Sequence, residues 1–201
     1  MTEKLAKIIS IVFNPLIIPT LGFLLLLNTG FYFSMISWEA KRFVLLVVLF
    51  TTCILPMLTI AVLALNPKFD ISMSNHKERV LPMLFTSVFY YLGYLLMNKM
   101  KAFSVFNLIL IASIIVILIL LAVSFKWKVS SHMAAIGSLT GTFFALAFRL
   151  GINPLWPILS LIVIAGAVGS ARIKLHRHTF AQVAGGYLIG FLVLYITIYF
   201  F

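Results

Sequence analysis

Apolar residues run through this chain in long stretches, and polar positions gather in the short connectors between them. A helix crosses the hydrocarbon core of a bilayer with roughly 20 apolar residues. On that measure the pattern predicts seven spans, at about 8–28, 42–66, 80–97, 103–125, 131–149, 155–171 and 180–200. The connectors, 29–41, 67–79, 98–102, 126–130, 150–154 and 172–179, leave almost no chain outside the membrane. The expected fold is an all-α polytopic transmembrane helix bundle, a single integral membrane domain over 1–201. The first stretch follows Lys4 and Lys7, holds Pro15 and Pro19 and lacks a small-residue cleavage site, so it reads as a retained helix rather than a signal peptide.

Composition agrees with lipid as the solvent. Of the 201 residues 63% are hydrophobic and 9% charged, where a soluble domain carries about 25% charged residues. The net charge of +11 would suit nucleic acid in a soluble protein. Here the cations sit in connectors, which points to anionic headgroups or phosphate-bearing ligands instead. Cys53 is the only cysteine and lies in an apolar run, so an intramolecular disulfide and a thiolate metal site are both ruled out. The acids Glu3, Glu39, Asp70 and Glu78 are too scattered for a Mg²⁺ cage, and no cofactor is expected.

Seven spans sort the connectors onto two faces. One face holds Lys4, Lys7, Lys68, Lys77, Arg79, Lys126, Lys128, Arg172, Lys174 and Arg177, and the other only Lys41, Arg42, Lys99, Lys101 and Arg149. His76, His132, His176 and His178 also fall on the first face or just inside a helix that starts there. The excess of basic residues on cytoplasmic loops explains lysines but not histidines. The alternative is that three connectors converge into an anion pocket.

Three clusters compose that pocket. Ser74-Asn75-His76-Lys77-Glu78-Arg79 with Pro82 opens the third span, where arginine offers a planar fork for phosphate oxygens and an early proline costs no helix bond. A basic helix end that only touches headgroups is the plainer reading. Lys128-Val129-Ser130-Ser131-His132 opens the fifth span, and a hydroxyl-bearing helix N-terminus is a ready anion site. Ser130 as a simple N-cap, with His132 bonded to a neighbouring helix, fits equally. Arg172-Ile173-Lys174-Leu175-His176-Arg177-His178 leads into the last span, with Gln182 four residues after His178 and so on the same helical face. A Gln182 carbonyl could accept the His178 Nδ1–H and leave Nε2 free as nucleophile or base. A solvated basic loop is the alternative.

At these clusters the sequence resembles the type 2 phosphatidic acid phosphatase superfamily of membrane lipid phosphatases. Its signature is a Lys, six residues and Arg-Pro, then Pro-Ser-Gly-His, then Ser-Arg, five residues, His, three residues and Asp. Arg79 resembles the first-motif arginine, with Pro82 displaced and Ser72 where the lysine belongs; Lys77 or Lys128 would supply that charge. Ser130 and His132 fall on the second motif, with Val129 and Ser131 for its proline and glycine. Arg172 and His178 keep the third-motif spacing, with Ala171 for the serine and Gln182 for the aspartate. The resemblance covers roughly 70–200, and 1–66 supplies two further spans.

The resemblance implies metal-independent hydrolysis of a phosphomonoester or diphosphate on a lipid or polyprenyl carrier. His178 would attack phosphorus to form a phosphohistidine, His132 would protonate the leaving alkoxide, and Gln182 would orient His178. Arg79, Arg172, Ser130, Ser131, Lys77 and Lys128 would hold the phosphoryl oxygens. It further implies a bacterial cell membrane with the site on the external face. A membrane lipid bearing phosphate is the expected partner, with no nucleic acid. Rivals from other classes are a transporter of a lipid-linked anion, to which Pro15, Pro19 and Pro56 point, and an inactive relative, to which Gln182 points. Gly137 with Gly141 and Gly186 with Gly190 read as close-packing pairs.

Overall fold

The computed structural model describes residues 1–66, 69, 76–99 and 104–201, and of His76 and Lys77 the backbone alone. The described chain is all-helical: α1 (Glu3–Val12), α2 (Ile18–Asn28), α3 (Trp38–Leu63), α4 (His76–Asn98), α5 (Ser104–Ser124), α6 (Ser131–Leu150), α7 (Leu155–Lys174) and α8 (Phe180–Phe200). Six of these, α3 to α8, are long and apolar enough to cross a membrane. A backbone in hydrocarbon must satisfy its own hydrogen bonds, which favours such a bundle. The molecule thus has the build of a multi-pass integral membrane protein.

The stretch expected as one span at 8–28 is instead broken. Pro15 brings no N–H, and the Asn14 side chain accepts from Leu16 N at 3.0 Å, forming a local turn that competes with the helix. Asn14 O then receives Ile17 N and Ile18 N at 2.9 and 3.2 Å and starts α2, which carries Pro19 in its first turn. Pro56 disturbs α3 more gently. The residues before it, Leu49–Ile54, form a π-turn, in which the Thr51 and Thr52 hydroxyls donate to Val47 O and Val48 O at 2.7 and 2.8 Å. Pro82 was expected at a helix start, but α4 begins at His76 and places it inside, where it is buried.

Helix α6 is the centre. Of its apolar window 61% is buried, against 22–39% for the other spans. Its inner half meets a buried aromatic cluster in which Phe31 lies 5.6 Å from Phe143, and Phe23 and Phe33 lie 5.3 and 5.0 Å from Phe106. Its other side lies directly on α8. A Cβ added at Gly137, Gly141, Gly186 or Gly190 would stand 2.0–2.5 Å from a carbonyl oxygen of the facing helix. Backbones can approach this closely only where side chains are absent. The contact fixes the N-termini of α6 and α8 side by side.

Candidate functional site

Two helix starts are bonded together on the basic face. Ser130 caps α6, its fully buried hydroxyl accepting from Met133 N at 3.4 Å. Thr179 caps α8 in a reciprocal box: Gln182 N donates to the Thr179 hydroxyl at 3.4 Å and Thr179 N donates to the Gln182 side-chain carbonyl at 3.1 Å. Ser130 N also donates to the Gln182 main-chain carbonyl at 3.2 Å, and His178 Nδ1 lies 3.1 Å from Lys128 O. The positive ends of both helix dipoles therefore face the same volume.

The third connector folds back by a specific turn. At the end of α7, Arg177 N donates to Arg172 O and His176 N to Ile173 O, at 3.1 and 2.9 Å. His176 has φ 52°, the left-handed position that glycine usually fills in this motif. This reversal returns Arg177 and His178 toward Arg172. Arg79 comes from the first turns of α4, and its charge acts on both Lys128 and Arg172. From the opposite side α1 offers the Ser10 carbonyl, 3.1 Å from His132 Nε2.

The electrostatics follow from this crowding. Burial first, then Arg79, Arg177 and Arg172, pull the Lys128 ammonium below its ordinary range. Burial and next the Arg172 charge push His178 down to about 4, against the opposing pull of Lys128 O and the Gln182 side chain. His178 is therefore neutral at neutral pH. A carbonyl oxygen only accepts, so the His178 Nδ1 facing Lys128 O carries the proton and Nε2 keeps its lone pair. By the same logic His132 Nε2 carries a proton toward Ser10 O. Beside them Arg172 Nε and Ser10 Oγ are buried without a hydrogen-bond partner among the described residues.

A cavity of about 460 Å³ descends from His132 and Ser131 into the bundle between α2, α4, α5 and α6. A second recess of about 360 Å³, on the outer side of Arg172, is lined by Glu3, Lys7, Ser10, Lys174 and Arg177 among others.

Arg79, Lys128, Ser130, His132, Arg172, His178 and Gln182 are thus gathered at one place, and Ser131 lines the adjoining cavity. The Lys77 side chain lies outside the described residues, as do Lys68, Asp70, Ser72, Ser74, Asn75 and Lys101. His178 Nδ1 lies against Lys128 O, and the Gln182 side chain, whose carbonyl also accepts from Thr179 N, acts on the His178 ring as well. The plainer features of the second cluster, an N-cap at Ser130 and a bond from His132 to a neighbouring helix, are both present. Sequence reasoning gave no site role to Arg177, whose signal was the density of cations after Arg172. It also missed Ser10, which has no signal in the middle of an apolar run. Among the described residues no three of His, Cys, Asp and Glu come together as metal donors. Compared with known proteins, the chain matches no family model, no curated protein and no solved structure.

Proposed function

We propose that this membrane protein is a lipid-phosphate phosphatase that works through a phosphohistidine, in the manner of the type 2 phosphatidic acid phosphatases it resembles at three motifs. The observation that carries this reading is His178, neutral, with its Nδ1–H held by Lys128 O and its Nε2 lone pair available beside Arg172. In the first step His178 Nε2 forms a bond to phosphorus as the bond to the lipid oxygen breaks, and His132, whose Nε2–H stays on Ser10 O, gives the leaving alkoxide a second proton that its Nδ1 takes up from the incoming phosphate monoanion. In the second step neutral His132 takes a proton from water, whose oxygen displaces His178 and releases phosphate.

Arg172, Arg79, Lys128 and Ser130 neutralise the equatorial oxygens, the main demand of phosphoryl transfer. The unpartnered Arg172 Nε suits that role. Gln182 orients the loop but carries no charge to stabilise an imidazolium, so turnover is slower than an aspartate would allow. The substrate is a phosphomonoester or diphosphate on a lipid or polyprenyl carrier. The enzyme sits in a bacterial cell membrane with its site outside. Helix α8 starts at the site, so a reporter fused to the C-terminus reads cytoplasmic if that orientation holds.

The test is phosphate release from lipid phosphates by the purified protein in detergent without added metal. Release occurs and is abolished by His178→Ala and by His132→Ala. Release that persists in both variants overturns the site assignment. No release from any lipid favours the second reading, a transporter of a lipid-linked anion, which the broken α1–α2 segment beside the cavity supports.

A further inference from the structure

The recess of about 360 Å³ outside Arg172 is built by two elements that the proposed reaction leaves idle. From α1 come Glu3, Lys7 and Ser10, spaced four and three apart and so on one helical stripe. From the end of α7 and its reversal come Arg172, Lys174, His176 and Arg177. Among the described residues its wall includes none of Lys128, Ser130, His132 and His178, and Arg172 belongs to both places.

Four cations, Lys7, Arg172, Lys174 and Arg177, share this wall with the Glu3 carboxylate. Glu3 stands in the first turn of α1, where the helix dipole already favours it. An excess of positive charge is therefore left for a guest. The hydroxyl on the wall is also uncommitted. Ser113, Thr140 and Thr142 each donate to the carbonyl four residues back in their own helix. Ser10 is 8% exposed, and its Oγ has no hydrogen-bond partner among the described residues.

We infer that this recess is a second phosphate site, which holds the phosphoryl group of a molecule other than the substrate on Lys7, Lys174, Arg177 and the Ser10 hydroxyl. The inference does not rest on the proposed function. Lipid headgroups and free phosphate share this chemistry, and the shape of α1 favours the headgroup. With ten residues α1 reaches about 15 Å, half the roughly 30 Å of hydrocarbon that a span must cross. Leu5, Ile8 and Val12 lie exposed on the stripe opposite Lys7 and Ser10. A short helix of that pattern lies in the interface with its apolar face in the acyl boundary, which sets the recess at headgroup depth.

Lysine footprinting of the full chain in neutral detergent tests it. Acetic anhydride labels the exposed lysines, and mass spectrometry reads the rate at each one. Three additions are compared: inorganic phosphate, dioctanoyl phosphatidylmethanol, which is a phosphodiester outside the phosphatase reaction, and dioctanoylglycerol, which has the tails without the phosphate. The phosphatidylmethanol is expected to slow labelling of Lys7 and Lys174 by about tenfold or more, the scale of a charge-assisted hydrogen bond, and to leave Lys4, which is off the wall, unchanged. Protection by inorganic phosphate shows that the free ion suffices. Ser10→Ala keeps the main-chain carbonyl that faces His132 and is expected to raise the half-protecting concentration by about tenfold; an unchanged concentration overturns the part given to the hydroxyl.

Equal protection of Lys4, or equal protection by dioctanoylglycerol, reveals a coated basic surface and overturns the site. Protection of Lys128 without Lys7 and Lys174 overturns it too and leaves the phosphatase standing. Protection of Lys7 and Lys174 in a protein that releases phosphate from no lipid leaves the second site standing and overturns the phosphatase.

Discussion

The α6–α8 contact makes the sharpest demand on the sequence at Gly190. A Cβ there would lie 2.0 Å from Ala134 O and 2.8 Å from Ser138 N, whereas ordinary contact begins near 3.4 Å. Gly190→Ala therefore requires about 1.4 Å of separation, and the obstacles are backbone atoms that no rotamer change can move. Overpacking of this kind costs about 1–3 kcal/mol. The same shift acts on the bonds at the top of the two helices, Ser130 N to Gln182 O at 3.2 Å and His178 Nδ1 to Lys128 O at 3.1 Å. Both would pass beyond hydrogen-bond range if α8 moved as a body. Misplacement of a reacting group by about 1 Å costs about a hundredfold in rate.

Gly166→Ala is the matched control. Nothing lies within 4 Å of a Cβ there, in the middle of α7, so the substitution gains up to about 1 kcal/mol of helix propensity. The assay is thermal unfolding in detergent, followed by tryptophan fluorescence, together with phosphate release. Gly190→Ala is expected to lower Tm and activity, and Gly166→Ala to leave Tm equal or higher. Equal Tm for the two variants would refute the packing argument.

Three more outcomes are expected. A ¹⁵N NMR titration of His178 has its midpoint near pH about 4. Because folding lowers that value from 6.5, the unfolded chain takes the proton first, and stability falls as pH drops from about 6.5 toward about 4; a midpoint near 6.5 contradicts the crowding by burial and Arg172. Gln182→Glu keeps the capping box and adds a negative charge next to His178, so the same titration moves to higher pH, and an unmoved midpoint removes Gln182 from the His178 environment. His176→Gly relieves the left-handed backbone at φ 52° and stabilises by about 1 kcal/mol, read as a higher Tm; a lower Tm shows that the imidazole holds the turn.

The spans were legible because hydrocarbon imposes one rule on every position: an apolar side chain and a backbone bonded to itself. The expected bounds 103–125, 131–149 and 180–200 stand within a residue or two of Ser104–Ser124, Ser131–Leu150 and Phe180–Phe200. The stretch 8–28 was misread because hydropathy averages over Asn14-Pro15. Whether a proline kinks a helix or ends it depends on whether the residues after it keep their helical bonds, and here the Asn14 side chain takes Leu16 N into a local turn instead.

The candidate site divides in the same way. The residue types and their one-sided placement are local properties, so Arg79, Ser130, His132, Arg172 and His178 stood out in the sequence. Which atom each one faces is not local. Lys128 O lies fifty residues from His178 and Ser10 O 122 from His132. Those pairs exist because four glycines let two backbones touch and a left-handed histidine turns the chain back. The sequence by itself determined what is apolar enough to span and which cations are left over. Only the packed structure decided which nitrogen of each histidine carries the proton, because backbone carbonyls from distant helices set it and leave no mark on the residues that supply them.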